Sequence, residues 1–118
     1  MTANEFRALA LAIEGASESA HMGHPDFRIN GKIFATLGHP NENWGMVKLS
    51  PEQQNEFAQS QPKSFIPAKG AWGRQGSTTV LLEQVEAHSL QEALRIAAAL
   101  TAKARAVRKK SRSGQGIR

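Results

Sequence analysis

Residues 26 to 37 read DFRINGKIFATL, and the Asn30-Gly31 pair at their centre constrains the fold more than any other feature of the chain. A two-residue hairpin turn needs positive φ at both central positions, and Asn-Gly meets that need at little steric cost. Phe27 and Ile29 precede the pair, and Ile33 and Phe34 follow it. An antiparallel β-hairpin is therefore expected here.

The flanking sequence supplies further strands. WGMVKL, from Trp44, reads as a third strand beside the hairpin, with Trp44, Met46 and Lys48 on one face and Val47 and Leu49 on the other. SFIPA, from Ser64, is a brief strand that Pro67 confines to an edge or a strand end. Thr78 to Glu83 reads as a strand by its β-branched content and alternation.

Helical signals bracket and interrupt these strands. Thr2 and Glu5 have capping-box spacing, and Phe6, Leu9, Ala10 and Ile13 then recur at helical intervals until Gly15, predicting a helix over about residues 3 to 14. The polar segment ASESAHMGHP that follows is read as loop. Ser50 as N-cap, Pro51 at the first helical position and Gln53 closing the box open a short polar helix to about Ser60, pinned by Phe57. Ser89 and Glu92 form another box before a long helix whose stripe includes Leu90, Ala93, Leu94, Ala97 and Leu100.

The expected fold is α+β: a two-layer domain in which an antiparallel meander sheet of about five strands packs with the N-terminal and long C-terminal helices. Residues 1–102 form this single domain, and 103–118 hold the end of the last helix and a basic tail. Beyond about Lys109 the tail has too few apolar groups to offset the entropy of ordering and is expected to be disordered.

Composition narrows the function. The chain of 118 residues has no cysteine, which excludes disulfides, thiolate metal sites and thiol nucleophiles. Its longest aliphatic run, Ile96 to Leu100, is far short of the roughly 20 residues a bilayer span needs, and the start shows no basic region ahead of an apolar one. A soluble, cytoplasmic protein, not engaged with membrane and monomeric by default, is expected. The basic balance, pI about 10.1, is uneven. Seven of the 15 Lys and Arg lie in residues 103–118 without an acid, leaving the first 102 residues with a formal charge of minus two.

The motifs GHPDFRINGKIFATL, VKLSPEQQ and PAKGAWGRQGSTTVLL, in that order, closely resemble those of the MmcQ/YjbR family of small bacterial proteins, over about residues 4 to 100. The resemblance implies an α+β domain similar to CyaY-like and secretion-chaperone-like folds, in a family assigned to DNA binding by structural analogy and without an established reaction. Many members carry an aromatic residue where this chain has Ser77, so one stacking ring is missing here.

GAWGRQG, residues 70 to 76, holds the best candidate site. Its glycines permit a tight corner that can present Trp72 and Arg74 together with Lys69, an indole beside cations suited to stack on a base and meet a phosphate. The competing reading packs Trp72 over the sheet edge, the commoner fate of a Trp in a small domain. Lys103, Arg105, Arg108, Lys109, Lys110 and Arg112 are dense enough to engage phosphates in a salt-sensitive way. The expected function is a binding module without catalytic activity, its partner DNA or another polyanion, using these tail residues with Lys48, Lys69, Trp72 and Arg74.

The alternative is a small-molecule, anion or protein-interaction domain with a pocket under the glycine loop, lined by His24, Asp26, Arg28, Trp72 and Arg74, in which Arg28 and Arg74 grip an anion. His21, His24, Asp26 and His39 match no metal-ligand spacing, and no metal or cofactor is expected. His24 or Asp26 is read as a loop lock, bonding backbone groups ahead of the strand. Glu83 and Glu86 are read as solvating a strand end, and neither a P-loop nor a GxSxG motif is present.

Overall fold

The computed structural model describes residues 1–103 with their side chains and, from 104 to 117, the course of the last helix alone. The element order is α1 (Ala3–Leu11), β1 (Ala16–His21), β2 (His24–Ile29), β3 (Lys32–Leu37), β4 (Trp44–Lys48), α2 (Pro51–Ser60), β5 (Phe65–Pro67), α3 (Gly70–Arg74), β6 (Ser77–Leu81) and α4 (Ala87–Ile117). The strands form one sheet in the order β1-β2-β3-β4-β6-β5, with every pairing antiparallel. The fold is α+β as expected, with a sixth strand and a fourth, short helix, α3, added.

Both additions have local physical causes. β1 is ASESAH, a polar edge strand with only Ala16 partly covered, so no apolar alternation marks it. It exists because Met22 and Gly23, with φ of 51° and 80°, close a second two-residue turn that returns the chain along β2. The Asn30-Gly31 turn closes as its sequence dictates, with φ of 52° and 78° and Ile29 opposite Lys32.

The first helix opens with its capping box intact: the Thr2 hydroxyl accepts from the Glu5 N–H at 3.1 Å, and the Glu5 carboxylate accepts from the Thr2 N–H at 2.7 Å. In α2 the Ser50 hydroxyl accepts from the Gln53 N–H, and Phe57 meets Phe65 with ring centroids 4.8 Å apart. α4 starts at Ala87, ahead of the box expected at Ser89. The Leu90 N–H bonds the Glu86 carbonyl, so Ser89 already lies inside the first turn. α4 runs on to Ile117, past the end expected near Lys109, and the side chains from residue 104 onward lie outside the described residues.

A register shift decides what the sheet buries. Phe27 stands opposite Ala35 but Arg28 opposite Ile33, so Phe34 is the extra residue of a bulge in β3. Phe34 and Ala35 both enter the core with Phe27, Val47 and Val80, where α1 contributes Phe6 and Ala10 and α4 contributes Leu90, Ala93, Leu94 and Ala97. The alanines of α4 bring its backbone close to the sheet. Residues opposite one another share a face, which places Asp26, Arg28, Ile33, Thr36, Met46, Lys48 and Thr79 on the other side, away from α1 and α4. No helix among the described residues is long and apolar enough to cross a membrane.

Candidate ligand-binding face of the sheet

Seven residues of unpromising helix propensity, GAWGRQG, carry the short helix α3 at the border of this second face. Tertiary contacts make up the deficit. Gln54 of α2, buried, donates from its Nε2 to the carbonyls of Gly73 at 2.8 Å and Ser77 at 2.9 Å, tying both ends of the corner to one side chain. A Cβ at Gly73 would sit 1.6 Å from the Ala68 carbonyl oxygen, and one at Gly76 1.8 Å from that of Leu49. The backbone can approach this closely only without side chains at those two positions.

The product of that corner is Trp72, which is 66% exposed. The reading that packs it as core is thereby corrected. The core beneath the sheet is already filled by phenylalanines from other elements, and α3 holds the indole over the open face. On either side of it lie two recesses of about 370 and 410 Å³, which share Met46 and Trp72. The first is lined also by His21, Thr36, Lys48, Gln75 and Ser77; the second, more apolar, by His39, Pro40, Trp44, Ile66, Pro67 and Lys69. A third hollow of about 520 Å³ begins at Lys48 and runs past Arg28 and Lys32 to Leu100 and Thr101. Among the described residues, no Asp or Glu lines any of the three.

Asp26, which belongs to this face of the sheet, is fully buried and fully engaged. Arg28 grips it from Nε at 2.8 Å and from Nη2 at 3.1 Å, and His21 Nδ1 lies 2.8 Å from Oδ2. The Arg28 hydrogen bond, with help from His21, holds the Asp26 carboxyl below its ordinary pKa against the opposing effect of burial. The same bond raises the Arg28 pKa. An ionised carboxylate only accepts, so the proton of the contact sits on His21 Nδ1 and Nε2 is left available to a ligand.

Thr36, opposite Asp26 on one side and Met46 on the other, is 5% exposed, and its Oγ1 has no hydrogen-bond partner among the described residues. Buried hydroxyls are almost always paired, so an orphan in the wall of a recess points to a missing partner.

The expected site residues divide accordingly. Lys48, Lys69 and Trp72 come together on this face, whereas Arg74 is exposed on α3 and lines none of the recesses. Arg28 and Arg74 line no common recess, and Arg28 is committed to Asp26. The loop lock exists in a different form: Asp26 bonds side chains, with His21 in the role considered for His24. His24 instead meets His39 edge-on at 6.1 Å. Lys103 is exposed, and the side chains of Arg105, Arg108, Lys109, Lys110 and Arg112 lie outside the described residues. No cluster of three or more metal-ligating side chains occurs among the described residues.

The sequence reading weighed His21 with the other histidines and set it aside, and it missed Thr36 and Gln54. His21 belongs to the strand taken for loop. Thr36 is signalled only by its place between apolar Ala35 and Leu37, and Gln54 by nothing local.

Comparison with known proteins agrees with this architecture. The family model described as YjbR matches residues 11–97. The crystal structure of a Deinococcus radiodurans protein with the family-model domain DUF419 superposes with a TM-score of 0.67 at 21% identity, covering 81% of this chain and 75% of that one. At that identity the likeness is one of fold. No curated protein matches the chain.

Proposed function

The chain belongs to the YjbR family, and from that premise and the open face of its sheet we propose that it is a binding module for single-stranded nucleic acid, acting in the cytoplasm. The observation that carries the reading is Trp72, 66% exposed above two recesses whose walls hold Lys48 and Lys69 and no carboxylate. An exposed indole is a stacking platform for any unpaired base, and cations beside it meet the backbone phosphates. A duplex hides its base faces, so the platform favours a single strand.

The charge distribution supports a division of labour. The first 102 residues are slightly acidic overall, so the recesses without a carboxylate are a local feature. The basic residues Lys103, Arg105, Arg108, Lys109, Lys110 and Arg112 add attraction that depends on salt and ignores sequence. The competing small-anion reading has no support from an Arg28 and Arg74 clamp, because Arg28 already serves Asp26.

The test is fluorescence anisotropy of a labelled short single strand and a labelled duplex with three full-length proteins: the natural chain, Trp72→Ala, and a variant with those six basic residues changed to Gln. Trp72→Ala is expected to weaken single-strand binding by roughly tenfold at near-physiological salt, the order of one lost base stack. The Gln variant should weaken duplex and single strand alike and flatten the salt dependence. Equal affinity of the natural chain for both forms, with no effect of Trp72→Ala, would overturn the reading.

A further inference from the structure

The two recesses flanking Trp72 differ in chemistry and adjoin along Met46 and Trp72. The first offers the Lys48 ammonium, the free nitrogen of a His21 ring fixed by Asp26, the orphan hydroxyl of Thr36, and Gln75 and Ser77. The second offers flat apolar walls: Trp44, Pro40, Ile66 and Pro67. Met46 floors both and Trp72 overhangs both. A ligand that fills the pair needs a planar, largely apolar part and an anionic part joined by a short spacer.

We propose that this pair of recesses is a mononucleotide site, with the base held between Trp72 and the Trp44 side and the phosphate held by Lys48, His21 and Thr36. The inference rests on the single-strand reading for its choice of ligand, and it names which unit of the strand is gripped and by what.

Three features argue for the phosphate end. Lys48 is a compact cation with no carboxylate partner among the described residues, so its charge is free for a ligand. Asp26 acts as a positioning group: its contact with Nδ1 fixes the His21 ring and leaves Nε2 as the nitrogen that meets the ligand. Thr36 supplies a buried hydroxyl whose pairing waits for an acceptor. Phosphate oxygens satisfy the Lys48 ammonium and the Thr36 hydroxyl together. They also bond His21 Nε2 directly when it is protonated, or through their own proton when it is not. Arg28 neutralises the Asp26 charge that would otherwise oppose an anion here.

The test uses amide and indole NMR shifts of the full-length chain at near-physiological salt, titrated with thymidine 5′-monophosphate, thymidine, and inorganic phosphate. Lys48→Gln and Thr36→Val are the variants, the first exposed and the second equal in shape, so each should fold. The monophosphate is expected to shift the Trp72 and Trp44 indoles together with the amides of His21, Thr36 and Lys48; thymidine should shift only the indole side. Lys48→Gln should reduce monophosphate affinity by about tenfold, to near that of thymidine, as loss of a charge-assisted contact requires.

Coincident shifts for monophosphate and thymidine, or monophosphate shifts confined to residues 103–118, overturn the site. If a single strand binds through Trp72 while the monophosphate leaves His21 and Lys48 unshifted, the subsite fails and the single-strand reading stands. If the monophosphate binds as described and no strand does, the site stands and the strand reading fails.

Discussion

His21 and Asp26 meet diagonally across the β1–β2 hairpin, Nδ1 to Oδ2 at 2.8 Å, one partner half in solvent and the other with no exposure at all. Because Arg28 holds the same carboxylate from β2, the buried charge is both neutralised and hydrogen-bonded, the condition under which burial of an ion is tolerated. A polar edge strand with few apolar contacts is thus anchored by a charged contact as well as by its backbone ladder.

That contact makes stability pH-dependent with a definite sign. The Asp26 pKa is lowered in the folded state, so the unfolded chain takes up a proton first as pH falls. Its contribution is full above the unfolded carboxylate value of about 3.9 and is lost as pH drops through the folded value. Asp26→Asn should lower stability at pH 7 by about 1.5–3 kcal/mol, and the gap to the natural protein should close in acid. Urea midpoints from pH 7 down to 3 measure it; a gap that stays constant contradicts the assignment.

Thr36→Val should stabilise the protein. Replacing a buried, unpaired hydroxyl by a methyl removes a desolvation cost of about 1 kcal/mol or more. The same variant should bind thymidine monophosphate less well, and opposite signs for stability and binding would mark Thr36 as kept for its ligand. A melting temperature below that of the natural chain would show that the hydroxyl has a partner within the fold.

Glycine replacements in the corner should separate two effects. Gly70→Ala meets no neighbouring atom within 4 Å but must hold a φ of +73°, a strain of about 1–2 kcal/mol. Gly73→Ala forces a methyl into the Ala68 carbonyl and should cost about 3 kcal/mol, because backbone must move to admit it. Denaturant unfolding of both variants gives the comparison, and equal losses would contradict it.

Gln54→Leu should damage the site through the fold. It removes the Gln54 donor from the carbonyls of Gly73 and Ser77, which keep only the backbone N–H groups of Gly76 and Ala68, with an expected loss of about 1–3 kcal/mol for the two lost bonds. Trp72 should become more mobile, read as a lower fluorescence anisotropy with Gln54→Leu than with Gln54 intact, both in a Trp44→Phe background that leaves Trp72 as the sole indole. Trp72→Ala, by contrast, removes an exposed side chain and should leave stability within about 0.5 kcal/mol.

Much of the framework was written locally. The Asn30-Gly31 turn, the Thr2 and Ser50 caps and the alternation through Val47 and Leu49 each act over a few residues, and each appears in the structure where its chemistry places it. Family membership was legible for the same reason, since its motifs are short runs in fixed order. What sequence could not settle was every feature that depends on a distant partner. β1 is a strand only because β2 pairs with it, and α3 is a helix only because Gln54, Ala68 and Leu49 close around it. The bulge at Phe34 sends Thr36 to the open face beside Asp26, and core filled from elsewhere leaves Trp72 outside. Local chemistry determined the elements. The face they leave open, and the side chains gathered there, follow from register and packing, which join residues far apart in the chain.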